Sequence, residues 1–431
     1  MSARNRELFG LIPASLLVTG GFTAVMLTRV SNVHTVTLTY GAIFLGCCVF
    51  AHLFIRWRLP NADPYLFPIV AVLASVGLVE LYRIQESYAI KQAGWFALGL
   101  VFFCLTIAFL RDYRVLERYR YTIAAGSIAL LLLPRIVGQA TNGAYLSIHI
   151  GSFSFQPAEF AKIGVIIFLA SYLRDVREVL VKGRLPHISL KHMGPLIVIW
   201  GASMVMLIFI RDLGSSLMFF GGFLTLLYVA TGRLSLVLAG AVLFFIGADF
   251  LANHISHVHS RIEIWQDPFK PSLVEGKGYQ IAQGLFAQAD GGLLGQGFSQ
   301  SLLYLPGGHS ILPAPHTDLI YAVIVNELGL FGSAALLSAY LLFVRRGFKT
   351  AMICGDGFGK LLALGLTAVF ALQVFVIVGG VTKVIPLTGV TLPFISYGGS
   401  SIIANFVLVA LLLIVSDSAR QRHELTGGVV S

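Results

Sequence analysis

Apolar runs of roughly 17–25 residues recur along this chain, each long enough to cross the hydrocarbon core of a bilayer as a helix. That repetition constrains the fold more than any other feature, because a segment in lipid must satisfy its backbone groups within itself. Of 431 residues, 57% are hydrophobic and 12% charged, whereas a soluble domain is about half apolar and a quarter charged. The runs place about twelve spans, near residues 8–28, 36–55, 65–82, 92–110, 121–137, 158–173, 193–210, 214–231, 234–252, 318–344, 361–380 and 396–416. The expected fold class is all-α: a polytopic membrane protein with one large loop outside the bilayer.

The formal net charge of +10 could suit a nucleic-acid binder, but the charges lie mainly in alternate loops, the pattern that orients membrane helices. With the N-terminus inside, 20 of the 30 Lys and Arg residues fall in inner segments. Both termini are therefore expected in the cytoplasm, with a tail from 417 to 431, and the loop from 253 to 317 outside the cell membrane. Chemistry on that loop would proceed without cytosolic ATP. No cleavable leader is evident, and the first run, Leu8 to Leu27, reads as a retained helix. Four cysteines in apolar or cytoplasmic settings do not make a disulfide framework.

The outer loop carries the chemistry-bearing residues. From Gly278 to Ala289 helical spacing puts Tyr279, Ala282, Leu285, Phe286 and Ala289 on one stripe, with Gln280 and Gln288 away from it, and such a helix suits a membrane interface. Gly291, Gly292, Gly295 and Gly297 then permit tight turns or close approach of backbone to a ligand. At the exit stand His316, Thr317 and Asp318. Thr317-Asp318 before an apolar run reads as a helix cap with an acidic first turn. Equally, a carboxylate at the edge of hydrocarbon is a candidate general base.

Other sites carry similar pairs of readings. Glu159 and Lys162, at i,i+3, share a helix face as a structural ion pair or a ligand site. Arg211 and Asp212 make a charged turn at an outer helix end, and Lys383 could meet a lipid phosphate or snorkel to the interface. Ser396-Tyr397-Gly398-Gly399-Ser400-Ser401 suits close helix packing. His254, His257 and His259 lack a companion Cys motif and are not read as a zinc site.

The stretch Leu392 to Ser401 resembles the signature of the SEDS family, the shape, elongation, division and sporulation proteins, which are integral-membrane peptidoglycan glycosyltransferases of the RodA/FtsW kind. Further stretches match in order. Asn142-Gly143-Ala144 and Gly151 resemble an outer loop of the family, and Gln156-Pro157-Ala158-Glu159-Phe160-Ala161-Lys162 its QPSExAK helix. Asp212-Leu213-Gly214 resembles its PDLGT turn. Tyr279-Gln280, Gln283 and the glycines after them resemble the large outer loop, and His316-Thr317-Asp318 with Glu327-Leu328-Gly329 resembles HTDFIFA…EELG. The chain departs from the pattern at Leu146-Ser147 (usually Arg-Trp), Arg211 (usually Pro), Asn326 (usually Glu) and Ile377 (often Asn).

The resemblance implies a core of about ten helices over residues 61–416, with two additional helices in residues 1–60 as in actinobacterial RodA-like members. It implies polymerisation of lipid II, the undecaprenyl-diphosphate-linked disaccharide-pentapeptide, with Asp318 as the base. Substrate contacts would come from Glu159, Lys162, Arg211, Asp212, Tyr279, Gln283, His316, Lys383 and Ser396. Leaving-group charge would be met by Lys162, Arg211 or Lys383, or by a divalent cation (Mg or Mn), for which no compact ligand set stands in the sequence. The expected partner is a class B penicillin-binding protein transpeptidase. A lipid-linked precursor flippase and a non-catalytic scaffold are the competing readings.

Overall fold

The computed structural model describes residues 2–29, 35–138, 147–150, 153–182, 212–254, 256–301, 303 and 311–425, together with 194, 198 and 201. Among them nine helices are long and apolar enough to cross a membrane. The protein is a multi-pass, all-helical membrane protein; its one sheet among the described residues is a two-stranded hairpin, Ile148–Ile150 against Phe153–Phe155. The expected span at 193–210, Arg211, Asn142-Gly143-Ala144, Leu146 and Gly151 lie outside the described residues. Two compact units are distinguished.

The first unit comprises Met1–Phe109, Glu263–Arg346 and Gln373–Leu413. Helices Ala3–Arg29, Thr35–Arg58, Leu66–Ile84 and Glu86–Phe109 open it. Buried charges pin them: Arg4 pairs with Glu7 and donates to the Ala62 carbonyl, and Glu7 meets His52 Nδ1 at 2.9 Å. Asp63, fully buried, receives Arg346 through both carboxylate oxygens at 2.5–3.1 Å, while the guanidinium lies over the Tyr65 ring. A charge in lipid must be paired in this way, because an isolated one costs several kcal/mol.

The helix expected in the outer loop, called the outer helix below, runs from Tyr279 to Gly291. Its buried face differs from the expected stripe: Ile281, Ala282, Gly284 and Gly291 are buried, whereas Phe286 is exposed beside Phe269. Gly291 lies against the Val325 backbone and Gly284 against the Leu319 side chain, where a larger residue would not fit, and Ile281 joins Ile264 and Leu273 in a small core touched by Leu285 and Leu387.

In the glycine run, Gly291 and Gly295 fit against the chain's own backbone, at the Val325 and Glu327 carbonyls. Helix Ile320–Ile353 breaks at Gly329, with φ 65° and ψ −166°. The break undoes the i→i−4 bonds of Leu330 and Phe331, whose N–H groups donate instead to Gly292 and Leu293 carbonyls at 3.0 and 3.2 Å. In exchange, the Asn326 and Glu327 carbonyls accept from Gln296 and Gly297 at 2.9 and 3.1 Å. All four groups are thereby satisfied, as buried backbone demands. A Cβ at Gly295 (φ 85°) would collide with the Glu327 carbonyl. Gly295→Ala is thus expected to lose more than about 1 kcal/mol, whereas Gly20→Ala, with open space at its Cβ position, is expected to be neutral or stabilising. Thermal unfolding in detergent measures both, and equal midpoints would refute the fitted-backbone account.

The second unit comprises Leu110–Ile262, Gly347–Leu372 and Ile414–Ser431. Its helices include Arg120–Val137, Pro157–Lys182, Leu213–Thr231 and Leu234–His254. Gly232, in the left-handed region at φ 66°, closes Leu213–Thr231 by donating to Tyr228 at 2.7 Å. A charged network joins Arg174 to Glu117 and Asp175, and Arg120 to Asp175.

Candidate functional site

In the first unit, Asp318 sits in the turn that ends where helix Ile320–Ile353 begins, and it is half-buried. The turn bends at Ala314 (φ 47°), whose carbonyl receives the Thr317 and Leu319 N–H groups, both at 3.2 Å. The signature segment 392–401 grips the turn from the other side. Tyr397 N–H donates to the His316 carbonyl at 2.8 Å, and Ser396 Oγ donates to the Thr317 carbonyl at 2.9 Å while accepting from Leu392 N–H. Ser396 is buried and its hydroxyl proton is committed to the turn. Gln92, also buried, donates to the Ser396 carbonyl at 3.1 Å and accepts from Gly398 N–H at 3.3 Å.

Around the carboxylate, Gln280 Nε2 lies 3.5 Å from Asp318 Oδ2. Gln280 thus faces the acidic group from the outer helix, with half-buried Tyr279 and Gln283 next to it on that helix. A Cβ added at Gly389 (φ 74°) would lie 3.8 Å from the same oxygen, so the segment after Val381 passes directly beside Asp318. That segment carries Lys383, itself at φ 63°, and its carbonyl receives Trp265 Nε1 at 3.0 Å. A lysine in the left-handed region is a strained backbone position of the kind that clusters at working sites.

His316 is half-buried, and burial holds its imidazole below the ordinary histidine range. In the unfolded chain the ring takes its proton near pH 6.5. The unfolded state therefore binds more protons just below that value, and stability is lost as pH falls from about 6.5 toward the folded value. Melting of wild type against His316→Asn between about pH 5 and 8 tests this: the wild type should lose more on acidification, and parallel curves would refute it.

Behind the turn lies a charged group that sequence reasoning left unassigned. Arg83 meets Glu327 at 2.5 Å, both almost wholly buried. Arg83 also donates to the Ser301 carbonyl at 2.6 Å, and Glu327 accepts from Ser299 N–H at 2.8 Å. Glu80, 1% exposed, stands one turn before Arg83 on helix Leu66–Ile84. Asn326, where the family usually has Glu, donates to the Ala287 carbonyl at 2.7 Å and so ties the outer helix to this one. A carboxylate inside an apolar run was the available signal for Glu80, and a buried-span glutamine for Gln92. Nothing in the local sequence marks Tyr88, whose ring lies on His316.

The second unit holds the other candidates. Lys162 Nζ is 2.5 Å from Glu159 Oε2, with side chains 2% and 8% exposed, so the two form a buried ion pair. Asp212 is buried and caps helix Leu213–Thr231, its Oδ1 accepting from Ser215 N–H at 2.9 Å. Burial pushes the Asp212 carboxyl above its ordinary value, opposed by the Ser215 hydrogen bonds and the Arg261 charge. His254 Nδ1 bonds the Phe250 carbonyl, and no three His, Cys, Asp or Glu side chains gather as metal ligands among the described residues.

Comparison with known proteins adds the following. The sequence model of the family FTSW_RODA_SPOVE, "Cell cycle protein", matches residues 63–421. "Peptidoglycan glycosyltransferase RodA" of Mycobacterium leprae (strain TN) is 39% identical over 432 residues, covering 97% of this chain and 91% of that protein. A solved structure described as "Structural coordination of polymerization and crosslinking by a peptidoglycan synthase complex" matches with a TM-score of 0.68 and 27% identity, over 83% of this chain and 98% of the other. The crystal structure of the rod shape determining protein RodA of Thermus thermophilus matches with a TM-score of 0.60 and 27% identity, over 82% of this chain and 96% of the other.

Proposed function

The chain belongs to the FtsW, RodA and SpoVE family of cell cycle proteins, and from that premise we propose that it is a peptidoglycan glycosyltransferase that polymerises lipid II at the outer face of the cytoplasmic membrane. The relatives' activity supports the reaction class. The observation that carries the reading is Asp318, half-buried at the mouth of a membrane helix, with Gln280 beside it and its turn fixed by Ser396 and Tyr397.

In the proposed step, the 4-hydroxyl of an N-acetylglucosamine attacks the anomeric carbon of the N-acetylmuramic acid that ends the growing chain. The new C–O bond forms as the bond to undecaprenyl pyrophosphate breaks, and the hydroxyl proton passes to Asp318. The cleaved glycosyl–pyrophosphate bond of the substrate supplies the energy, so no nucleotide takes part. Gln280 orients the carboxylate, while Tyr279, Gln283 and His316 line its surroundings. Lys383, on the segment whose Gly389 passes Asp318, is the candidate in this unit to meet the leaving phosphate. Lys162 and Arg211 complete the proposed cations, with Glu159 orienting Lys162 and Asp212 fixing its own turn. A divalent cation would strengthen the same electrostatic role; no step here runs through one.

The distribution of Lys and Arg supports both termini inside and the large loop outside. Residues 1–60 precede the matched stretch and are assigned as two added helices. The match to a synthase complex that coordinates polymerization and crosslinking supports a transpeptidase partner, a class B penicillin-binding protein. The buried Glu159–Lys162 pair also fits a flippase for the same lipid-linked precursor. One experiment separates these readings: the full chain with its transpeptidase partner is given lipid II in detergent and in vesicles, and products are sized. Glycan polymer supports the proposal. Movement of labelled lipid without polymer sinks it in favour of the flippase, and neither activity leaves a scaffold.

A further inference from the structure

Three aromatic rings gather beside Asp318 that the proton transfer does not use. Tyr88, near the start of helix Glu86–Phe109, lies on His316 with ring centroids 4.2 Å apart and planes within 11°. Tyr397 leans toward both, 5.2 Å from Tyr88 and 6.0 Å from His316. All three are half-buried, so each ring keeps some surface open. They come from three stretches far apart in sequence, yet the backbone beneath two of them is locked, since Tyr397 N–H donates to the His316 carbonyl.

We propose that Tyr88, His316 and Tyr397 form a shelf that seats the pyranose ring of the acceptor N-acetylglucosamine, an inference that rests on the polymerase reading above. A β-gluco-configured ring carries its substituents equatorially, so its two faces are C–H surface and its polar groups lie on the rim. Aromatic faces are partially negative and attract polarised C–H groups. A sugar lying flat on this shelf directs its rim sideways. Only Thr317 separates His316 from Asp318, so their Cα atoms lie within about 7 Å, and the 4-hydroxyl on that rim can reach the carboxylate. An axial 4-hydroxyl would leave the rim and stand on a face, so the shelf distinguishes gluco from galacto configuration.

The competing account is an aromatic belt at the membrane–water boundary, where tyrosines are common, with no sugar contact. The test uses the full chain in detergent and a soluble β-1,4 tetramer of N-acetylglucosamine as probe. Saturation-transfer NMR reads contact between aromatic protons and sugar ring protons. Transfer is expected for the wild type and Tyr88→Phe, and is expected to be lost for Tyr88→Leu and for a matching N-acetylgalactosamine oligomer. In polymerisation assays Tyr88→Leu should raise the KM for lipid II about three- to tenfold, with kcat within about twofold, from the loss of one stacking contact. Tyr397→Leu gives a second reading should Tyr88→Leu unfold, which a melting curve reports. Unchanged transfer and KM in the leucine variants, or equal transfer to the galacto oligomer, overturns the shelf. A wild type that binds the tetramer through Tyr88 but makes no polymer overturns the polymerase reading instead.

Discussion

Asp318→Asn is expected to lower kcat for lipid II polymerisation by about 10²–10⁴-fold, the usual contribution of a general base, while leaving KM nearly unchanged. Asparagine keeps the shape of the side chain and its contact with Gln280 Nε2, which now lies 3.5 Å from Oδ2, but it cannot take the hydroxyl proton. A loss confined to kcat is the signature of an interaction made only in the transition state. The structural alternative, in which Asp318 merely begins the helix, makes the opposite forecast: asparagine is as good a cap as aspartate, so activity would persist. Single-turnover assays with labelled lipid II decide between them, with thermal unfolding as the control for fold. A variant that polymerises within about threefold of wild type would remove Asp318 from the mechanism, and such a ratio is worth less than 1 kcal/mol, too little for a base.

The second large effect concerns stability. Arg83→Met leaves the Glu327 carboxylate buried without its guanidinium, and Glu327→Met does the converse; each is expected to cost about 3–5 kcal/mol. The double variant Arg83→Met/Glu327→Met removes both charges and should recover most of the loss, because a buried pair contributes little net energy over apolar side chains of similar volume. The pair is 2.5 Å apart with side chains 4% and 0% exposed, so solvent does little to soften the single substitutions. Unfolding in detergent, read as a double-mutant cycle, supplies the coupling energy. Additive losses in the cycle would mean that the two charges do not depend on each other.

Most of the helices can be read from the length of apolar runs alone. The run near 36–55 becomes Thr35–Arg58 and that near 361–380 becomes Gly357–Val381, longer at the ends because a helix continues through polar residues once its interior is in lipid. Which face of a helix is covered is harder to read. Phe286 is the larger and more apolar residue, yet Gly284 and Gly291 are buried and Phe286 is not, since a close neighbour (the Leu319 side chain at Gly284, the Val325 carbonyl at Gly291) selects for size rather than hydrophobicity. Asp318 is legible as a carboxylate at a membrane edge. Its supports are not: Gln92, Tyr88 and Arg83 lie more than two hundred residues earlier, and no local pattern encodes contacts of that range. Gln92 and Glu80 still leave a trace, as polar groups where lipid would exclude them.

The break at Gly329 sets what braces the helix that follows the carboxylate. Four backbone groups that an unbroken helix would pair within itself bond instead to the glycine ribbon, so residues 320–328 are tied to that ribbon as well as to the helix that continues beyond the break. The ribbon is thus a splint for the turns that follow Asp318, and a substitution that loosens it acts on the backbone leading directly from the carboxylate.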